Sequence, residues 1–129
     1  MRAVDTNVLA RFILMDDPAQ LPVAIDVIQS GIFVSLSVWM ELAWLLSARY
    51  RIARDAIAES FDALLAMPTV TSTADAHWVV DRYKNGADIA DMVHVAEALS
   101  QSAFATFDDD IRKRAGSAPP VAVETLFGL

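Results

Sequence analysis

The sequence predicts an α/β protein, a three-layer α/β/α sandwich with a central, mainly parallel sheet. Three observations predict it. Short apolar or β-branched runs alternate along the chain with stretches that carry apolar residues at helical spacing, the pattern of strands joined by crossover helices. The 129 residues are 55% hydrophobic, enough apolar side chain for a substantial core. No repeat, low-complexity tract or long linker divides the chain, so residues 1–129 read as a single domain.

The elements follow in order. Arg2-Ala3-Val4 is a first strand ending at Asp5, and Asp5-Thr6-Asn7 supplies capping chemistry for a helix over Val8–Leu14. Asp16-Asp17-Pro18 breaks that helix. A second runs from Ala19 to Ser30, with Leu21, Ile25 and Ile28 on one face and Gly31 closing it. Ile32-Phe33-Val34 is the next strand. Ser35 or Ser37 caps a helix through Trp39, Glu41, Leu42, Leu45 and Leu46, and a further helix from Ile52 to Ala66 stops before Pro68. Thr69-Val70-Thr71 has strand character. Helices over Thr73–Lys84 and Asp88–Gln101 flank Asn85-Gly86. Ala103–Phe107 is a strand, Asp108–Arg114 a short helix, and Val121-Ala122-Val123 a last strand behind Pro119-Pro120.

Composition removes whole classes of function. Without cysteine there is no disulfide framework, thiolate metal site or Cys nucleophile. Ten Lys and Arg against seventeen Asp and Glu leave a net charge of −7, unfavourable for non-specific adhesion to nucleic acid. It leaves room for an enzyme that reaches phosphate through cations held by carboxylates. The opening MRAVDTNVLARF, with Asp5 so early, does not read as a secretory signal. The apolar run Leu36–Leu46 is interrupted by Glu41 and too short to span a bilayer. These features lead us to expect a soluble, cytoplasmic protein with no membrane partner. Gly31, Gly86, Gly116 and Gly128 form neither a dinucleotide fingerprint nor a P-loop, and no G-x-S-x-G elbow is present.

Attention therefore falls on the acids. In a parallel sheet the carboxyl ends of the strands line the ligand crevice, and Asp5 and Asp108 each follow a strand directly. Glu41 interrupts the apolar helix around Trp39, Met40, Leu42 and Ala43. Asp91 sits among Ile89, Ala90, Met92 and Val93. An acid buried on such a helix is costly unless it is paired or binds a metal. Each also has an ordinary reading: Asp5 and Asp108 as N-caps, Asp91 as an early-turn acid, Glu41 as a solvated side chain.

The segments MRAVDTNVLARF, SVWMELAWLL, GADIADMVHVAEA and ATFDDDI together resemble the PIN domain, and within it the VapC-like toxins of bacterial toxin–antitoxin pairs. The resemblance spans nearly the whole chain in order. It implies a PIN-like fold and a metal-dependent endoribonuclease whose acidic quartet falls on Asp5, Glu41, Asp91 and Asp108. The polar residue after the first acid falls on Asn7, and the hydroxyl before the last acid on Thr106. Asp108-Asp109-Asp110 leaves the fourth ligand open between Asp108 and Asp110, the latter assisting from the next turn. Asp88, three residues before Asp91, is either a supporting acid or that helix's N-cap.

The chemistry suits that set. Phosphodiester hydrolysis needs a nucleophilic water, charge neutralisation at phosphorus and stabilisation of the leaving oxygen, all of which Mg²⁺ or Mn²⁺ supplies when held by hard oxygen ligands. A zinc site would recruit His or Cys, and His94 and His77 read as packed or surface residues. Arg11 and Arg112 are the candidates for contact with RNA phosphates, ahead of Arg49, Arg51, Arg54, Lys113 and Arg114. Trp39, Trp44, Phe12 and Phe33 could stack bases, but packing in the core or a partner groove is the better explanation for them. The helices around Val8–Leu14 and Trp39–Leu46 carry more apolar surface than one small core needs. The resemblance implies a homodimer and a cognate antitoxin whose amphipathic segment lies in such a groove. A non-catalytic PIN-like module that only binds an antitoxin or RNA is the alternative. A haloacid dehalogenase-type phosphatase, a further alternative, wants a second Asp where this chain has Asn7.

Overall fold

The computed structural model describes residues 1–127; Gly128 lies outside them. The chain divides into two compact units, Met1–Ala74 and Asp75–Leu129. Every strand pairing is parallel, and the architecture is the expected α/β type. The hydrogen-bonded ladders run in two sheets, one of three strands and one of two, where the sequence suggested one.

In the first unit, β1 (Arg2–Ala3), β2 (Ile32–Val34) and β3 (Val70–Ser72) lie in that order, with Ala3 opposite Phe33 and Phe33 opposite Thr71. Helix α1 (Thr6–Leu14) buries Leu9 and Ala10 completely. It ends at Met15, held at φ 53°, whose N–H donates to the Arg11 carbonyl at 3.1 Å. Asp16-Asp17-Pro18 cannot prolong it: Asp17 turns instead to cap the next helix, accepting from the N–H groups of Ala19 and Gln20 at 3.0 Å. Helix α2 (Gln20–Gln29) buries Ala24 and Ile28, and Gly31 at φ 96° turns the chain into β2, a geometry that glycine adopts without a Cβ clash.

Helix α3 (Leu36–Trp44) starts at Ser35 and continues into a π-helical turn over Leu45–Arg49. Helix α4 (Arg54–Ala66) buries Ile57, Ala58, Phe61 and Leu64. Trp39 is the centre of this core: fully buried, its ring centroid lies 5.0 Å from that of Phe61. Its indole N–H donates to Ser72 Oγ at 3.0 Å, and the Ser72 hydroxyl donates in turn to the Val34 carbonyl. A polar relay thus ties α3 to β3 and β2 and leaves Trp39 no surface for stacking a base, in keeping with its reading as a core residue.

The second unit contains α5 (Ala76–Lys84), α6 (Ile89–Glu97), β4 (Phe104–Thr106), α7 (Asp109–Ala115) and β5 (Val123–Thr125). Helix α5 packs against α6; Val79, Val80 and Tyr83 of the one and Ile89, Met92 and Val93 of the other are buried. It closes in a Schellman motif, in which Gly86 at φ 104° donates to the Tyr83 carbonyl and Ala87 to the Arg82 carbonyl. The last strand sits two residues later than its sequence suggested. Phe104 donates to the Ala122 carbonyl and pairs with Val123, so the residues just after Pro119-Pro120 only lead into the ladder. No helix among the described residues is long and apolar enough to cross a membrane.

Candidate active site

Two of the four candidate acids belong to the first unit and two to the second. Asp5 follows β1 and is the N-cap of α1, its Oδ1 accepting from Val8 N–H at 3.3 Å. A carboxylate has two oxygens, so this capping bond occupies one and leaves the other for a ligand. Asn7, exposed in the same first turn, joins Asp5, Val8 and Arg11 along a groove of about 280 Å³ whose far wall is α2. Glu41 is exposed on the outer side of α3, opposite Trp39, Leu42 and Ala43. Its charge therefore needs no partner to offset burial, contrary to the sequence argument for it.

The second unit concentrates negative charge at two helix N-termini. Asp88 caps α6 by accepting from Ala90 N–H at 2.8 Å and Asp91 N–H at 3.3 Å, so the capping role holds for it. Asp91 lies in the first turn, half-buried. Burial first, then the charges of Asp88 and Asp108 and, last, of Asp110, pushes its carboxyl above the usual range, while His94 acts the other way. Asp108 follows β4 and caps α7, its Oδ1 accepting from Asp110 N–H at 2.9 Å. Thr106 Oγ1 accepts from Asp108 N–H at 3.0 Å. The hydroxyl identified by sequence therefore fixes the backbone that carries the acid.

The acid run after β4 separates into distinct roles. Asp109 accepts from Arg112 Nε at 2.9 Å and from Thr125 Oγ1 at 3.1 Å, tying α7 to β5; Arg112 foremost, then Thr125, hold its carboxyl below the usual range. It is a structural anchor. The charges of Asp108 and Asp110 help instead to raise the Asp91 carboxyl.

The candidate phosphate contacts are already engaged. Arg11 stands 3.0 Å from Asp16 and donates to the Tyr50 hydroxyl at 3.3 Å, contacts that hold the guanidinium charged but partly offset it. Arg112 and Lys113 turn back onto Asp109, and Arg114 lies 3.8 Å from Asp110. Phosphate binding by Arg11 or Arg112 would have to displace these pairs. The sequence showed the cations but not their partners, which for Arg112, Lys113 and Arg114 stand three and four residues back on α7.

The donors suit one kind of ion. All are carboxylate or hydroxyl oxygens, the hard donors that favour Mg²⁺ or Mn²⁺ over zinc. Among the described residues no group of three or more His, Asp or Glu side chains is gathered closely enough to hold an ion. The residues fit the ion by type and charge.

No curated protein and no solved structure matches the chain. The PIN domain family matches residues 2–117, and PIN domains are typically metal-dependent nucleases using Mg²⁺ or Mn²⁺. That match begins at the first strand, covers most of the chain, and establishes that the chain belongs to the PIN domain family.

Proposed function

We propose that this protein is a metal-dependent endoribonuclease, with Asp5, Glu41, Asp91 and Asp108 as its acidic quartet and one continuous PIN domain as its catalytic unit. The observation that carries the reading is the convergence of charge in the second unit, where the Asp91 carboxyl feels Asp88, Asp108 and Asp110 together. Structural acids are ordinarily paired with cations, as Asp109 is here; the Asp91 carboxyl instead feels burial and the charges of three acids, offset in part by His94. Such crowding is a burden on folding unless a cation relieves it.

A bound Mg²⁺ or Mn²⁺ supplies the positive charge that acidifies water and stabilises the leaving oxygen. Asp91 and Asp108 present the oxygens not used in hydrogen bonding, and Asp5 and Glu41 complete the set the resemblance implies. Thr106 keeps Asp108 in place, and Asp88 keeps the first turn of α6 wound behind Asp91. Asn7 is exposed beside Asp5 and available to orient substrate.

The toxin reading is part of the same proposal. An open groove of about 480 Å³ in the first unit is lined by Phe12, Ile13, Met15, Leu21, Ile25 and Leu64, which suits the amphipathic segment of a cognate antitoxin. A homodimer is expected with it.

The test is cleavage of RNA with Mg²⁺ or Mn²⁺ by the parent, Asp5→Asn and Asp91→Asn. We expect ion-dependent cleavage by the parent and losses of at least ~100-fold in each variant. Equal cleavage by all three would overturn the assignment. A parent that binds RNA or an antitoxin without cleaving would support the non-catalytic module instead.

A further inference from the structure

Two arginines in the second unit occupy reciprocal positions. Each lies in the last turn of a helix, Arg82 in α5 and Arg114 in α7, and each helix ends at or just before a glycine of positive φ: Gly86 at 104° and Gly116 at 77°. The guanidinium of Arg114 lies over Gly86, where a Cβ would come within 2.7 Å of its Nη1. The guanidinium of Arg82 lies over Gly116, where a Cβ would come within 2.1 Å of its Nη1. Each helix thus reaches across the other's terminating glycine.

Arg114 also joins two parts of the acidic site. Its Nη1 donates to the Asn85 carbonyl at 3.3 Å, one of the carbonyls that the end of α5 leaves without a helical donor. Its Nε stands 3.8 Å from Asp110 Oδ2. Asn85 and Gly86 form the turn that delivers Asp88 and Asp91, and Asp110 belongs to the helix that Asp108 caps. Arg82 braces the same joint: its carbonyl accepts from Ala87 N–H at 2.9 Å, and its buried Nε finds no hydrogen-bond partner. Nε lies 3.5 Å from Asp81 Oδ2 without forming a hydrogen bond, so packing over Gly116 holds the side chain.

We propose that Arg114 is a positioning residue that fixes the Asp88–Asp91 arm against the Asp108–Asp110 arm, with Arg82 as its counterpart across the same joint. The inference rests on the metal-site reading of those acids and adds a device for setting their spacing. A planar fork can touch a carbonyl and a carboxylate at once, whereas a lysine at that position presents a single point of charge.

The test compares the parent with Arg114→Ala, Arg114→Lys and a control, Lys113→Ala, which removes a neighbouring cation paired only with Asp109. Mn²⁺ affinity is measured by calorimetry at a temperature where all four are folded. Simple electrostatics predicts tighter ion binding on removing a cation from beside Asp110. Positioning predicts the reverse: about 10-fold weaker binding in Arg114→Ala and a smaller loss in Arg114→Lys, with Lys113→Ala at parental affinity or slightly above. An Arg114→Ala protein that binds Mn²⁺ as tightly as the parent overturns the proposal.

Amide hydrogen exchange separates this inference from the metal reading. Faster exchange at Ala90 and Asp91 in both Arg114 variants, by about 10-fold over Lys113→Ala, supports the clasp even if the parent binds no ion. Unchanged exchange at those amides overturns it.

Discussion

The Asp88 carboxylate accepts a hydrogen bond from the backbone N–H of Asp91 at 3.3 Å, and its charge helps to push the Asp91 carboxyl upward. One side chain thus winds the helix and burdens the acid that the helix carries. The two effects are separable by substitution. Asp88→Asn keeps an oxygen for capping and removes the charge, so the Asp91 carboxyl should titrate lower, with stability changed by only a few tenths of a kcal/mol. Asp88→Ala removes both and should cost about 1 kcal/mol. Side-chain NMR titration of Asp91 and urea unfolding measure the two outcomes.

Asp91→Asn should stabilise the ion-free protein at neutral pH while abolishing its response to cations. The sign follows from linkage. A carboxyl raised in the folded state binds its proton more tightly there than in the unfolded chain. Its contribution to stability is therefore most favourable below the unfolded value of about 3.9 and declines as pH rises through the folded value. At neutral pH the parent carries the full penalty, burial first and repulsion second, and the asparagine carries no charge to penalise. We expect a melting temperature on the order of 2–4 °C higher without metal, and no further rise with millimolar Mg²⁺ or Mn²⁺. A variant less stable than the parent without metal, and still stabilised by the ions, would contradict both parts.

How much of this was legible beforehand depended on the range of the interaction involved. The alternation of strands and helices came through because each element has its own period and its own stop: Asp17 and Pro18 after α1, Gly31 after α2, Pro68 after α4, Asn85-Gly86 after α5. Caps are equally local, and Asp5, Asp88 and Asp108 cap their helices as their positions suggest. Distant pairings left no such trace. Trp39 read as a core residue, but nothing near it in sequence mentions its partners Ser72 and Phe61. Glu41 looked buried because its neighbours are apolar, although α3 rotates it away from the face they fill. Arg114 stood only among the lesser phosphate candidates because its partner carbonyl, on Asn85, is 29 residues away. The final strand was misplaced by two residues because its register is set by Phe104, not by anything next to Pro120.

The relay from Trp39 through Ser72 to the Val34 carbonyl predicts an asymmetry between its members. Ser72→Ala deletes the acceptor for a fully buried indole N–H and the donor to the Val34 carbonyl, and should cost about 1–3 kcal/mol. Trp39→Phe removes the indole donor but leaves the Ser72 hydroxyl able to donate to Val34; its cost comes mainly from the volume lost beside Phe61. The double variant should then be less destabilised than the sum of the two, since the unsatisfied indole disappears with the tryptophan. Chemical unfolding of the four proteins closes the cycle. Strict additivity would show that the hydrogen bond contributes nothing.

Trp44 presents the opposite situation, a large apolar side chain 61% exposed on a helix whose other face is buried. An exposed tryptophan has little to lose within the monomer, so Trp44→Gln should change unfolding free energy by no more than about 0.5 kcal/mol. A side chain of this kind at the centre of a self-association surface is a different matter, since buried tryptophans dominate such interfaces and truncation there costs upward of ~2 kcal/mol. If the homodimer forms through this face, sedimentation equilibrium should show association weakened at least ~30-fold in the variant. The emission of Trp44 should also shift to shorter wavelength as the parent is concentrated, and this shift should vanish in Trp44→Gln. Association of equal strength in both proteins would place the dimer contact elsewhere on the molecule, and a parent that stays monomeric at high concentration would remove it.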